Sequence, residues 1–314
     1  MKAANFWAML LAEWSLDQMT IKETTNKMTG ILLYSHHNEP VTQVILSHAQ
    51  HGANIITLSI KELLDNVIIF DEISDVVKLS WKLPCGKVIS NSKDFYLINR
   101  VLDLPQDLFD DFHEDDKGYS RAEFYAYLLF ALEAFPLSLS KPGPFGLSGN
   151  AYSLPRQWEM IKQETNEMLI PDYYFGAMSM CPYPQGEDSN VVYSSPNNNY
   201  CWKPNKYEDN ADSASFAFIK PKGVPVVCFM HGKEAKVFPF DAKETLSSEQ
   251  EDLIKKNAHI LNKIFKYKIA ESLLFIDKDV VSFGMISPLP HASRHKDWFN
   301  EAIISTMKKE MGNE

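Results

Sequence analysis

The sequence predicts an α/β chain that turns α+β in its C-terminal half, and three observations carry that prediction. From Gly30 the apolar period switches between strand and helix, so that Ile31–Tyr34, Val41–Gln50 and Asn54–Leu58 read as a βαβ unit with Gly52 closing the helix. From Val224 onward the extended segments come in pairs separated by tight turns, as antiparallel hairpins do. Between the halves, Lys141–Gly149 is the densest run of proline and glycine, the composition of a boundary loop.

At 314 residues, 45% apolar and 12% aromatic, the chain has material for two or three sub-domains with cores. Its net charge of −10 argues against a nucleic-acid partner, because a phosphate backbone is bound by clustered Lys and Arg. Cys85, Cys181, Cys201 and Cys228 stand far apart with no Cys-x-x-Cys spacing, which reads as reduced thiols rather than zinc ligands or disulfides. The apolar patch Phe6–Ala12 is interrupted by Glu13 and Asp17 and lacks a clean cleavage site, so residues 1–29 are expected to form an amphipathic lead-in helix rather than a signal peptide. No run approaches the roughly 18 to 20 apolar residues of a membrane span. A soluble cytoplasmic protein is expected, with no membrane partner and with a homo-oligomer left open.

Residues 30–140 read as one βαβ domain. Val76–Leu79, Lys87–Ile89 and Phe95–Ile98 add extended segments, predicting a mostly parallel sheet of about four or five strands. After the first strand stands Ser35-His36-His37-Asn38 in place of Gly-x-Gly-x-x-Gly, which argues against a Rossmann cofactor site. His36 and His37 end that strand, where open α/β sheets bind ligands, although a histidine pair in a surface loop is the plainer reading. The acidic stretch Asp107–Asp116 has neither the central glycine nor the closing glutamate of an EF-hand and is expected to be a solvated loop. Ser120–Glu123 is a Ser-x-x-Glu helix start, and Phe124–Phe135 is apolar nearly all round, predicting a helix buried between the first sheet and the next layer.

In residues 141–314, Leu154–Met168 has helical spacing, and Cys181–Asp212 is so rich in Pro, Asn and Asp that the middle region 172–214 reads as a loop or a shortened sub-domain. Ser215–Ile219 is a strand, and Val224–Phe229 with Glu234–Phe238 form a hairpin turning at Met230–Lys233. Thr245–Gln250 opens a helix that carries Leu253, Ile254, Ile260, Leu261 and Ile264 on one face. Tyr267–His291 reads as two strands joined at Asp277-Lys278-Asp279 and closed by a proline-rich loop. Trp158, Trp202 and Trp298 are read as packing before pocket walls. Neither a Gly-x-Ser-x-Gly elbow nor a His-Glu-x-x-His helix is present, so hydrolase chemistry has no motif to rest on.

From Gly30 to Pro290 this order of parts resembles the ATP-grasp superfamily, in particular its peptide-ligating and peptide-maturing branch. The likeness rests on Leu97–Arg100 as a strand ending in Arg, on Leu137–Pro142 where relatives show Asn-x-Pro, on the Leu169-Ile170-Pro171 junction, and on the hairpin, helix and two strands that follow. The resemblance implies an ATP-dependent carboxylate–amine ligase acting on a peptide or amino acid, with ATP and magnesium as cofactors. By position it implies Arg156 in place of the first nucleotide lysine, Lys203 or Lys220 as the second, and Arg294 in a loop bordering the nucleotide and acceptor. The family's terminal Glu-x-Asn-Pro, which holds magnesium, reads Met285-Ile286-Ser287-Pro288 here, and its first acidic ligand falls near Ser272 with Glu271 on the opposite face. A thioether is a poor ligand for a hard cation. Asp277 and Asp279 read as turn residues, so no metal ligand is assigned. The resemblance therefore implies either a ligase or a catalytically inactive binding or partner subunit that recognises a peptide or an active ligase.

Overall fold

The computed structural model describes residues 28–144, 146–177, 180–183, 190–204, 214–232, 234–241, 243–290 and 296–312. The expected lead-in helix, Arg294 and the two histidines of the terminal loop lie outside these residues.

The N-terminal half begins with β1 (Thr29–Tyr34), α1 (Pro40–Gln50), β2 (Ile55–Ser59) and α2 (Ile60–Asn66). Glu39 caps α1 by accepting from the amides of Val41 and Thr42, with Pro40 at the first helical position, where its missing N–H costs nothing. Ser59 and Glu62 form a capping box that starts α2. There follow β3 (Ile68–Ile69), β4 (Glu72–Ile73), β5 (Val77–Lys78), β6 (Ser80–Lys82), β7 (Val88–Ser90) and β8 (Phe95–Arg100). Among the described residues β2, β1 and β8 form the parallel sheet, in that order, and a single parallel bridge from Leu97 to Ser138 extends its edge, against the expected four or five strands. The others pair antiparallel as β3-β6-β7 and β4-β5. The reason is connection length: a few residues can reverse a chain, whereas a parallel crossover needs a dozen or more.

The acidic stretch is also more ordered than expected. Gln106–Phe109 is a 3₁₀ turn that buries Leu108 and Phe109, and α3 (Glu114–Ala134) starts at Glu114 rather than Ser120. His113 caps it, and Glu114, Asp115 and Asp116 sit in the first turn, where the helix dipole favours negative charge. α3 buries Phe124, Leu128, Ala131 and Leu132 against the core that holds Trp81, while Tyr119 and Tyr125 are exposed. It therefore covers one side of the domain instead of lying between two layers.

In the C-terminal half, α4 (Leu154–Glu164) ends before the expected Met168. β9 (Tyr173–Ala177), β10 (Val191–Ser194) and β11 (Ala214–Ile219) form an antiparallel sheet of order β10-β11-β9. Of the two readings of the middle region, loop or shortened sub-domain, the sheet fits the second, and β10 has no signature in the sequence because its apolar run is too short to show a period. β12 (Val224–His231), β13 (Glu234–Pro239), α5 (Ser248–Phe265), β14 (Ile269–Asp277), β15 (Val280–Ser287) and α6 (Lys296–Glu310) complete the chain. The larger sheet has the order β13-β12-β14-β15. Gly232 (φ 57°) and Lys278 (φ 56°) turn its two hairpins at the expected places. Leu169 extends this sheet, accepting from the Phe283 amide at 2.8 Å and donating to the Val281 carbonyl at 3.0 Å. Among the described residues no helix is long and apolar enough to cross a membrane.

The halves share an apolar core in which Leu32, Val41, Ile45 and Ile98 meet Phe229, Ile269, Phe299 and Ile303, and a buried ion pair stands at its edge. Arg100, the last residue of β8, and Glu39, the cap of α1, are 2% and 8% exposed and pair through two contacts, Nε to Oε2 at 3.2 Å and Nη2 to Oε1. Arg100 Nη1 also donates to the Pro288 carbonyl beyond β15 at 3.4 Å. Burial alone would raise the Glu39 pKa, but the Arg100 charge and the hydrogen bonds from Arg100 and Thr42 outweigh it and hold the carboxyl below its ordinary value. Because the folded pKa is the lower one, the pair's contribution is complete above the unfolded value of about 4.3 and is lost as pH falls through the folded value. Glu39→Gln is expected to cost about 3–5 kcal/mol by stranding Arg100, and the Glu39→Met/Arg100→Met pair much less. Urea unfolding at pH 7 and pH 4 checks both, with the difference between wild type and Glu39→Gln shrinking in acid.

Candidate functional site

The residues expected to face a nucleotide and its metal lie on β14 and β15, so register decides which side chains meet. Glu271 pairs with Ser287, Ser272 with Ile286 and Leu273 with Met285, and a bulge between Leu273 and Leu274 skips Gly284. Side chains alternate across a strand. Glu271, Leu273, Met285 and Ser287 therefore share one face, while Ser272 shares the other with Cys228, its partner on β12. The first acidic ligand is expected near Ser272, and the register sets its neighbour Glu271, not Ser272, on the face of Met285 and Ser287. A pairing register is invisible in a single strand, so spacing along the chain does not decide it.

Around Ser287 the polar atoms are engaged. The Tyr200 hydroxyl lies 3.0 Å from Ser287 Oγ and 2.9 Å from the Leu289 carbonyl, and the Leu289 amide donates to Ser287 Oγ at 3.1 Å. Burial pushes the Tyr200 phenol up to about 12, with the nearby Glu271 charge acting the same way against the Ser287 hydrogen bond. Glu271 is itself buried. The loop after β10 thus lays a protonated tyrosine over the end of β15.

Farther along the same face, the space between the two sheets is filled by aromatic rings. Trp158 of α4 is fully buried and donates to the Gly284 carbonyl at 2.6 Å. Its ring stands 5.6 Å from Phe216 and 5.3 Å from Phe218, both on β11, while Trp202 lies 4.9 Å from Phe218 and 5.4 Å from Phe275 of β14. At Gly284 a Cβ would come within 2.8 Å of the Leu273 carbonyl oxygen and 3.2 Å of the Trp202 ring, so only glycine fits the bulge. Trp158 and Trp202 are packing residues. Trp298 packs too, edge-on against Phe229 at 5.2 Å with the Lys236 ammonium 4.6 Å from its ring centre.

The cations expected to face phosphates sit on separate segments. Arg156 is exposed on the first turn of α4, Lys203 is exposed just after Trp202, and Lys220 is half-buried at the end of β11, its amide donating to the Asn190 carbonyl at 2.8 Å. The contact of Trp202 with Phe218 sets the segments carrying Lys203 and Lys220 side by side. His36 lies 2.5 Å from Asp103 at the mouth of the parallel sheet, both side chains exposed. Cys228 is buried with its thiol pushed up to about 12, largely by that burial, which leaves it protonated and unreactive at neutral pH.

A magnesium ion asks for several oxygen ligands in near-octahedral array. The shared face supplies one carboxylate, a thioether and a hydroxyl already bonded to Tyr200. Asp277 and Asp279 flank the turn at the opposite end of the hairpin. Among the described residues no group of three or more His, Cys, Asp or Glu could hold a metal. Among the described residues, this face therefore does not fit a magnesium ion.

No protein-family model and no curated protein matches the sequence. Solved structures do match. The macrocyclase MdnC of Microcystis aeruginosa MRC, bound with precursor peptide MdnA, superposes with a TM-score of 0.66 at 12% identity, covering 90% of this chain and 98% of that one. A Chryseobacterium gregarium RiPP-associated ATP-grasp ligase, in complex with ADP and a leader and core peptide, gives 0.61 at 13%, covering 90% and 97%. The ATP-grasp ligase PsnB, complexed with minimal precursor, gives 0.57 at 12%, covering 90% and 100%. The chain has the ATP-grasp fold.

If the aromatic layer is core, Trp158→Ala should cost about 3–5 kcal/mol in urea unfolding. Trp158→Phe, which keeps most of the volume and strands the Gly284 carbonyl, should cost about 1–3 kcal/mol.

Proposed function

We propose that this chain is an ATP-grasp-fold protein that recognises a peptide without turning over ATP, serving as a binding or partner subunit to a peptide-modifying ligase. The observation that carries this reading is the filled face of β14 and β15, where a thioether and an engaged hydroxyl stand at the positions for which the resemblance implies metal ligands, and aromatic rings occupy the space between the sheets. Support for a peptide comes from the similar structures, which hold precursor, leader or core peptides. The four free cysteines fit a reducing compartment, the cytoplasm.

A second reading is favoured by one residue. Glu271 puts a buried carboxylate on the face of Met285 and Ser287, and an ATP-dependent carboxylate–amine ligase would use it together with Arg156, Lys203 or Lys220, and Arg294 as cations toward the nucleotide.

Thermal melting with ATP and with ADP, each with and without magnesium, separates the two. A ligand of the native state at about 100 times its Kd adds roughly 2.7 kcal/mol, a shift of several degrees. No shift is expected with either nucleotide. A magnesium-dependent rise that Glu271→Gln abolishes would establish the ligase instead.

A further inference from the structure

The small sheet β3-β6-β7 has one face against α3 and the other in water. Trp81 of β6 and Ile89 of β7 are fully buried, with the Trp81 indole donating to the Tyr127 hydroxyl of α3 at 2.7 Å and its ring 5.4 Å from Phe135. Side chains alternate along a strand, so Ile68, Phe70 and Val88 share the opposite face. They are 55%, 58% and 49% exposed. Ile69, Ile73 and Val76 of the same hairpin are exposed as well. Among the described residues no other stretch of this length leaves so many large apolar side chains in water.

The edge of this sheet is open too. β3 pairs with β6 through Ile68 with Lys82 and Ile69 with Trp81, and the Phe70 amide donates to the Ser80 carbonyl at 2.9 Å. In an antiparallel ladder, residues that bond inward alternate with residues that bond outward. Ile68 and Phe70 therefore face β6 with their backbone groups, and the N–H and C=O of Ile69 point off the free side, where no described strand pairs with them. Folded proteins usually blunt such an edge with a lysine, a proline or a bulge, and Val67–Phe70 has none of these. Protection starts only at Asp71, whose carboxylate turns inward to accept from the Ser80 amide at 3.1 Å and the Tyr127 hydroxyl at 3.0 Å.

An antiparallel strand is the partner that fits this edge, and β3 fits itself. A two-fold axis at Ile69 sets Ile69 opposite Ile69 of a second copy and Ile68 opposite Phe70, so each apolar residue of Ile68–Phe70 meets another. Moving the axis to Ile68 would set Phe70 against Asn66 at the end of α2. Moving it to Phe70 would set Ile68 against Glu72 and Ile69 against Asp71, and a carboxylate withdrawn from water beside an apolar side chain is costly. The carboxylates that flank the favoured register carry their own cations, Asp65 with Lys61 at 3.2 Å and Glu72 with Lys78 at 3.1 Å. Approach of a copy therefore adds no uncompensated charge.

We propose that two copies of this chain pair through β3, Ile69 to Ile69, joining two three-stranded sheets into one of six strands in the order β7-β6-β3-β3-β6-β7. Such an interface is isologous and closes on itself, so both edges are used up and none is left to template further growth. Stable interfaces bury about 1,200–2,000 Å² in total. A strand this short sits at the low end of that range, which makes the dimer a weak one. The proposal is independent of peptide and nucleotide binding, so its failure and that of the melting test are distinguishable.

Sedimentation velocity of the full chain from about 1 to about 500 µM is expected to show a monomer–dimer equilibrium with a Kd of about 1–100 µM. Ile68→Glu and Phe70→Glu should each weaken it at least about tenfold, because each sets a carboxylate against an apolar side chain of the copy. Val280→Glu, also at an exposed apolar site but on the β14–β15 turn, should leave it unchanged. All three replace exposed side chains, and unaltered thermal melts are expected to show that the fold is kept. Register is read by mild oxidation in a Cys85→Ser background, Cys85 being the exposed native thiol. Ile69→Cys should give a disulfide-linked dimer, since residues paired across the axis lie about 5.5 Å apart between Cα atoms, while Ile68→Cys and Phe70→Cys should crosslink only when mixed with each other. The proposal is overturned by a monomer up to about 500 µM, by a dimer that survives both β3 Glu substitutions, by open-ended assemblies in place of a dimer, or by crosslinking of Ile68→Cys or Phe70→Cys alone in preference to Ile69→Cys.

Discussion

Trp158 stands where the two sheets of the C-terminal half meet. Its indole N–H closes on the carbonyl of the one glycine that the β15 bulge accepts, and rings from β11 and from the loop after β10 pack around it. Aromatic side chains each bury about 150–250 Å² and prefer tilted or edge-on pairs, and the angles here are of that kind. At roughly 25 cal/mol per Å² of apolar surface, burial of these rings helps attach β9–β11 to the larger sheet. A planar ligand could enter between the sheets only by displacing rings that hold them together. The same packing that stabilises the fold thus supports the proposal of a chain that works without nucleotide.

The N-terminal sheet is attached by an apolar core that Leu32, Val41, Ile45 and Ile98 share with Phe229, Ile269, Phe299 and Ile303, and a buried ion pair adds a different force. Arg100 and Glu39 are both withdrawn from water, and a buried pair adds little net stability compared with apolar residues, while its geometry admits few alternatives. Since Arg100 also reaches the Pro288 carbonyl, it fixes where the end of β8 stands relative to the end of β15. Lys268, Tyr96 and Glu310 make a second polar tie, joining β14 and β8 to α6.

Several elements were legible before any contact was known. The βαβ unit shows in the alternation from Ile31 to Leu58, α5 in its capping Ser247 and apolar face, and the terminal hairpin in its Asp277-Lys278-Asp279 turn. Each is governed by interactions between residues close in sequence. β10 was hidden because four residues carry no period, and the start of α3 because its first turn is acidic rather than apolar, its stability coming from the cap and the dipole. The extra strands of the N-terminal half were visible as extended segments, but their direction followed from short connections rather than from composition.

By itself, the sequence determined the class of fold, the order of its parts and the absence of a carboxylate at Met285 and Ser287, because residue type, local period and turn chemistry are properties of neighbours along the chain. Tertiary structure alone decided that Glu271 shares a face with those two positions, that Tyr200 covers Ser287, and that Trp158 and Trp202 fill the space between the sheets. Register, facing and filling depend on residues tens of positions apart, and no local pattern encodes which of them will touch.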